Sequence, residues 1–226
     1  MEQMINGRLI SKYSPDSNKK FHIVTPTFKG GAKLEVFINC FLSQTCNDYH
    51  ITLVSDGPEP ETEKQLLKYF NYKNFSYYYL DTRYNDFGHT PREFGLLQSD
   101  CKYTIMTGFD NYYVPIFIEQ FDNADKKTKN TGFIFCDFVL DHIRDGKRYN
   151  KYLNAEMKSS CIDIGCFATL TTLAKKIGFK FRSYAADWEF VEAAIPELKK
   201  QKLNILKIPK LYTYIINEYN NIYNYI

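Results

Sequence analysis

Four short apolar runs, each separated from the next by a stretch of helical spacing and each ending in polar or turn-forming residues, constrain this chain more than any other feature. The runs are Phe21–Phe28, Tyr49–Val54, Phe75–Leu80 and Tyr103–Thr107. Between them, Ala32–Thr45 places Leu34, Phe37, Ile38, Phe41 and Leu42 on one helical face, and Glu61–Phe70 and Thr90–Gln98 also read as helices. Pro91 is tolerated because it falls in a first turn. Strands alternating with helices at this spacing predict βαβ units, hence an α/β fold with a mainly parallel sheet and helices on both faces. Ligands of such sheets bind beyond the carboxyl ends of the strands. Function is therefore expected at Thr25-Pro26-Thr27, Ser55-Asp56-Gly57, Asp81-Thr82-Arg83 and Gly108-Phe109-Asp110-Asn111.

The rest of the chain is less regular. Residues 1–20 are polar and read as a flexible arm. A helix is expected from Pro115 to Phe121 and a strand over Thr131–Phe138. Asp141–Ser160 is charged and without clear period, which predicts a long loop or lid. A turn at Asp163 precedes a helix over Ala168–Ile177, stopped by Gly178; a further helix follows at Asp187–Gln201 and a strand at Asn204–Ile208. The domain is expected to span residues 21–211, with 212–226 a tail packed on it or partly disordered.

Composition narrows the classes. Hydrophobic residues make up 44% and aromatic residues 17%, enough for a core. The net charge of +3, from 29 basic and 26 acidic residues, is too small and too dispersed for a nucleic-acid binder. Apolar stretches such as Ile51–Val54 and Gly132–Cys136 fall far short of the ~20 residues of a spanning helix, and Met1–Lys20 holds no apolar signal core. The six cysteines form no C-x-x-C pair, which suits buried reduced thiols in a cytoplasmic protein. Phosphate-loop, dinucleotide, serine-hydrolase and H-E-x-x-H zinc motifs are all absent.

What remains is an ordered set of acidic and basic residues at strand ends. Ser43-Gln44-Thr45, followed by Tyr49-His50-Ile51-Thr52-Leu53-Val54-Ser55-Asp56-Gly57, resembles the start of family 2 glycosyltransferases of the GT-A fold, with Ser55 in place of the first of two acids. Gly88-x-x-x-Arg92-x-x-Gly95 resembles the family's Gly/Arg helix. Tyr103-Thr104-Ile105-Met106-Thr107-Gly108-Phe109-Asp110-Asn111-Tyr112-Tyr113-Val114-Pro115 resembles its metal-binding strand end, with Gly108 and Phe109 where acids are common. Ala186-Asp187-Trp188-Glu189 resembles the acidic motif that opens its acceptor-side helix. The match runs in order from about Phe21 to Glu192.

The resemblance implies a Rossmann-like GT-A domain that moves a sugar, with inversion, from a nucleotide-diphosphate donor such as a UDP-sugar to a hydroxyl of a glycan, glycoside or glycoconjugate. It implies a divalent cation, Mn²⁺ or Mg²⁺, held by Asp110, with Asn111 orienting the diphosphate and His142 as a further metal ligand. Hard cations of this kind favour carboxylate oxygen and keep water and phosphate ligands. Asp56 takes the role of the acid that accepts hydrogen bonds from base or ribose, with Thr25 and Thr27 lining the same pocket and Arg92 reaching the uridine or diphosphate. Asp187 is the expected general base, with Glu189 its local rival. Asp137, Asp163, Trp188 and Glu189 are expected on the acceptor side. Simpler structural roles stand beside these: a plain turn at Asp56, a solvated arginine at Arg92, a helix cap at Asp187, a core ring at Trp188 and a loop residue at His142. Two rival functions are a nucleotidyltransferase, for which Lys29-Gly30-Gly31 would be the phosphate loop, and a non-catalytic nucleotide-sugar-binding relative.

Overall fold

The computed structural model describes residues 5–144, 147–180, 183 and 185–218. Its strands are β1 (Gly7–Leu9), β2 (Phe21–Thr27), β3 (Tyr49–Ser55), β4 (Phe75–Leu80), β5 (Tyr103–Met106), β6 (Tyr112–Tyr113), β7 (Thr131–Arg144), β8 (Lys147–Leu153), β9 (Phe167–Leu170) and β10 (Asn204–Glu218). The helices are α1 (Gly31–Leu42), α2 (Pro60–Leu66), α3 (His89–Leu97), α4 (Phe117–Lys127), α5 (Thr171–Ile177) and α6 (Ala186–Lys200), with 3-10 turns at Leu67–Tyr69 and Ile164–Cys166.

One mixed sheet runs β1-β4-β3-β2-β5-β9-β7-β10-β6, with β8 beside β7. The expected βαβ units form its first half: β4, β3, β2 and β5 are parallel neighbours, in register from Phe21 opposite Tyr49 and Tyr103. Every residue of β3 is buried, the mark of a strand covered on both faces. Neighbouring residues on it serve opposite sides. Leu53 joins the main core with Leu34, Phe37, Ile38 and Phe41 of α1, while Val54 packs with Tyr78, Leu80 and Phe94 in a second cluster under α3. Gly95 lets α3 approach, since a Cβ there would lie 2.4 Å from Val24.

The second half departs from the sequence reading. Asp141–Ser160, expected as a lid loop, instead contains the end of β7 and all of β8, which pair antiparallel from Phe138–Leu153 to Arg144–Lys147. There β7 is flanked by β8 and, in parallel, by β10. The helix expected from Ala168 begins at Thr171, because Phe167–Leu170 is drawn into the sheet between β5 and β7. The flexible arm is likewise corrected for Gly7–Leu9, which pair with Leu80–Tyr78 as an edge strand. Residues 212–218 of the tail extend β10 along β7; residues 219–226 lie outside the described set.

Candidate functional site

The carboxyl ends of β2, β3 and β5 meet where sequence placed the polar tips. The Thr25 hydroxyl donates to the Thr107 carbonyl at 3.2 Å, tying β2 to the end of β5. Thr27 is buried, and its hydroxyl has no hydrogen-bond partner among the described residues. Asp56, at the end of β3, is no plain turn residue. Its two carboxylate oxygens accept from the Tyr84 and Asn85 amides, each at 2.8 Å, and so hold the loop that follows β4. Beside it, Gly57 has φ +97° and faces Arg83. The Arg83 guanidinium lies 3.6 Å from the centre of the Phe28 ring, within cation–π range. Phe28 escaped the sequence reading because an aromatic residue ending an apolar run reads as core.

The Lys29-Gly30-Gly31 loop is not an open phosphate cradle. Its three amides are taken by side chains at and before α2: Glu59 at 3.2 Å, Thr62 at 3.2 Å and Gln65 at 3.1 Å. The nucleotidyltransferase reading loses the feature that suggested it.

Arg92 is more than a solvated helix charge. It donates from Nε to the Thr107 carbonyl at 3.3 Å and from Nη1 to the Phe87 carbonyl at 3.0 Å. Its charge acts on Asp187, Asp110, Asp163 and Asp86, all of which favour the guanidinium against a burial that opposes it. Three of these carboxylates come from distant parts of the chain: Asp110 after β5, Asp163 before the Ile164–Cys166 turn and Asp187 in α6. Asn111 is buried beside them, donating from Nδ2 to the Thr107 hydroxyl at 3.0 Å.

Asp163 and Asp187 share one turn. Asp163 Oδ1 accepts from the Gly165 amide at 2.8 Å, and Asp187 Oδ2 accepts from the Ile164 amide at 3.2 Å. Asp187 is therefore not the cap of α6; that position is Ala185, which makes no side-chain cap bond. Burial raises the Asp187 carboxyl above its ordinary range, countered by Arg92 and the Ile164 amide. Burial and the neighbouring Asp187 charge push Asp163 up to about 7.

The remaining expected residues stand apart. Asp137, near the middle of β7, is held in its own network by the Ala155 amide at 2.9 Å, the Lys210 amide at 3.1 Å and Lys207 Nζ at 2.8 Å. That role is anchoring: it ties β7 to β10 and to the segment after β8. Trp188 is half-buried and packs against the main core. Glu189 is half-buried in the first turn of α6. His142 lies on β7, opposite Tyr149, and not in a lid loop; its side chain is outside the described set. Among the described residues no group of three or more His, Cys, Asp or Glu is placed to hold a metal ion. No described helix is long and apolar enough to cross a membrane, and all six cysteines are free thiols.

Comparison with known proteins agrees with this architecture. The sequence model of glycosyl transferase family 2 matches residues 22–182, and the chain belongs to that family. No curated protein matches. Among solved structures, S. aureus TarS 1-349 in complex with UDP superposes with a TM-score of 0.68 at 17% identity, over 88% of this chain and 60% of that one. The same protein in complex with UDP-GlcNAc gives 0.67 at 16% identity, over 88% and 58%. The mannosyltransferase PcManGT from Pyrobaculum calidifontis, in complex with GDP-Man and Mn²⁺, gives 0.60 at 11% identity, over 91% and 60%. The fold is that of the GT-A glycosyltransferases, and the chain spans about 60% of the length of these structural relatives.

Proposed function

We propose that this chain transfers a sugar from a UDP-sugar to a hydroxyl of a glycan, glycoside or glycoconjugate, with inversion at the anomeric carbon. The observation that carries the reading is the turn whose Ile164 and Gly165 amides hold Asp187 and Asp163, with Arg92 bonded to the Thr107 carbonyl at the end of β5, where an α/β sheet binds its ligand. Membership of the family and the UDP and UDP-GlcNAc complexes of TarS support the donor class. Asp56 and the Phe28–Arg83 pair would receive the nucleoside, with Thr25 and Thr27 beneath it. Asp187 would accept the proton of the acceptor hydroxyl while its oxygen bonds the anomeric carbon and the bond to the diphosphate breaks. A base is most effective with a pKa near the working pH, and burial has moved Asp187 in that direction.

The donor set fits a divalent cation in one mode only. Gly108 and Phe109 leave Asp110 as the strand-end carboxylate, so most ligands would come from diphosphate and water, as Mg²⁺ and Mn²⁺ accept. Bound there, the cation would neutralise the leaving diphosphate. The same reduced acidic set favours a second reading, a relative that binds nucleotide sugars without turnover. One experiment separates the two. The full chain is incubated with a panel of UDP- and GDP-sugars and glycoside acceptors, with Mn²⁺, Mg²⁺ or EDTA. Metal-dependent release of UDP on adding an acceptor supports transfer, whereas calorimetric UDP binding without turnover supports the second reading. UDP binding unaltered in Asp56→Ala would remove the assignment of the nucleoside pocket.

A further inference from the structure

We infer that Tyr113 is a positioning residue, whose buried hydroxyl locks the turn that hydrogen-bonds the candidate base to the donor end of the sheet. The inference rests on the reading of Asp187 as base. Tyr113 lies within the strand-end motif that follows Asp110, but the resemblance gives its hydroxyl no task.

The lock is a continuous chain of hydrogen bonds. Asn111 Nδ2 donates to the Thr107 hydroxyl at 3.0 Å, that hydroxyl lies 2.6 Å from Tyr113 Oη, and Tyr113 Oη donates to the Gly165 carbonyl at 2.9 Å. With the phenol proton on the Gly165 carbonyl, the phenol oxygen is left to accept from Thr107, whose hydroxyl also lies 3.3 Å from the Gly108 carbonyl. From the same turn, the Ile164 amide reaches Asp187 and the Gly165 amide reaches Asp163. Both candidate carboxylates thus accept from amides of the turn whose Gly165 carbonyl Tyr113 holds.

The pieces on either side are rigid. The Tyr113 ring is boxed by Phe37, Phe41 and Phe117, with centroids 6.2, 4.9 and 4.7 Å away, and β6 pairs with β10 through Thr213. The far end, Thr107, takes the Thr25 and Arg92 hydrogen bonds on its carbonyl. Burial holds the phenol pKa far above its ordinary value, so it remains a donor at every working pH. Gly165 completes the fit. A Cβ there would stand 2.7 Å from Asn111 Nδ2, 3.0 Å from Tyr113 Oη and 3.1 Å from Thr107 Oγ1, so any side chain would wedge the three apart. A buried hydroxyl that merely needed a partner would have one in Thr107; the second bond, across to the turn, is what couples donor end and base.

The test uses the full chain and Tyr113→Phe, which keeps the ring and removes the hydroxyl. Hydrogen exchange is measured over residues 162–166, with UDP affinity and transfer kinetics alongside. The lock predicts faster exchange at Ile164 and Gly165 with β2 and β3 unchanged. It predicts kcat lower by about 10- to 100-fold, the usual cost of a lost support for a functional group. UDP affinity should stay within about twofold, since no direct ligand bond is removed. Unchanged exchange at the turn overturns the lock, and wild-type kcat in a variant with loosened exchange overturns its catalytic role. If Tyr113→Phe does not fold, Gly165→Ala wedges the same chain of bonds, and faster exchange at Ile164 with lower kcat is expected, UDP affinity being no readout there because the new Cβ also meets Asn111. A wild-type chain that transfers no sugar from any donor overturns the proposed function and the catalytic half of this inference, and exchange alone then decides the lock.

Discussion

Asp187 shows how much a single carboxylate's meaning depends on what lies across from it. In sequence it opens a helix, the place for a cap. In the fold it accepts from Ile164, on a turn more than twenty residues earlier, and faces Arg92. Asp187→Asn is therefore expected to leave the stability of α6 unchanged and to lower kcat by about 10²–10⁴-fold, the range for removing a general base. UDP affinity measured by calorimetry should stay near wild type. Asp163 makes a different prediction. Its folded pKa, about 7, lies above the 3.8 of the free side chain, so between those values the native state binds more protons than the unfolded one. Stability from this group is then lost as pH rises through that window. Asp163→Asn keeps an acceptor for the Gly165 amide and removes the buried charge. Its melting temperature should exceed wild type at pH 8, with the gap closing toward pH 4; a constant difference across that range would contradict the assignment.

At the scale of elements, the loop between β4 and α3 is where local rules are broken for the site's sake. Asn85, Phe87 and Gly88 all have positive φ, at 52°, 58° and 79°. The loop is pinned at both ends, by Asp56 on the Tyr84 and Asn85 amides and by Arg92 on the Phe87 carbonyl. Such backbone persists only where surrounding contacts enforce it. At Gly88 a Cβ would lie 2.5 Å from the Pro26 ring, between Thr25 and Thr27. Gly88→Ala is expected to cost more than about 1 kcal/mol of stability, since φ is wrong for Ala and the ring must move. A denaturant midpoint equal to wild type would refute this. These elements also show the limit of sequence reading. Asp56 and Gly88 were visible as motif residues, but the Asp56 partners are two amides, and amides have no signature in sequence. The end of β7 and all of β8 form a local hairpin but were missed because their charged, aperiodic sequence alone favours a loop, and β9 was missed because its partners β5 and β7 lie far away in the chain.

On the scale of the whole molecule, an ionic cluster joins the two halves at the opposite end of the sheet from the site. Lys20, just before β2, pairs with Asp122 and Asp125 of α4, each at 2.6 Å; Lys102, before β5, pairs with Asp125 at 2.8 Å. Burial opposes ionisation of both aspartates, but hydrogen bonds from Lys126, Lys102 and Lys20 win and lower their pKa values. Lys20→Met should destabilise the chain at pH 7 by less than the ~3–5 kcal/mol of a fully stranded buried charge, because Lys102 and Lys126 remain. The loss should shrink as pH falls below about 4, where the aspartates protonate and the native advantage of their lowered pKa disappears. An equal loss by chemical denaturation at pH 3 and pH 7 would refute the electrostatic account.

What the sequence by itself determined is the first half of the sheet and the positions of the candidate residues. Period-2 and period-3.6 patterns are local, and β2 to β5 with their helices are built from local units joined by short connections. The same locality delivered Asp56, Arg92, Asp110 and Asp187 as residues to watch. Only the tertiary structure decided what each one does. It sent Asp137 to an anchor between β7 and β10 and laid Trp188, half-buried, against the core, and it brought Asp163 and Asp187 onto the amides of one turn. Those outcomes depend on hydrogen bonds and charges between residues tens of positions apart. Their strength is set by burial and by the direction of a backbone amide or carbonyl, quantities that come into existence only when the sheet has closed.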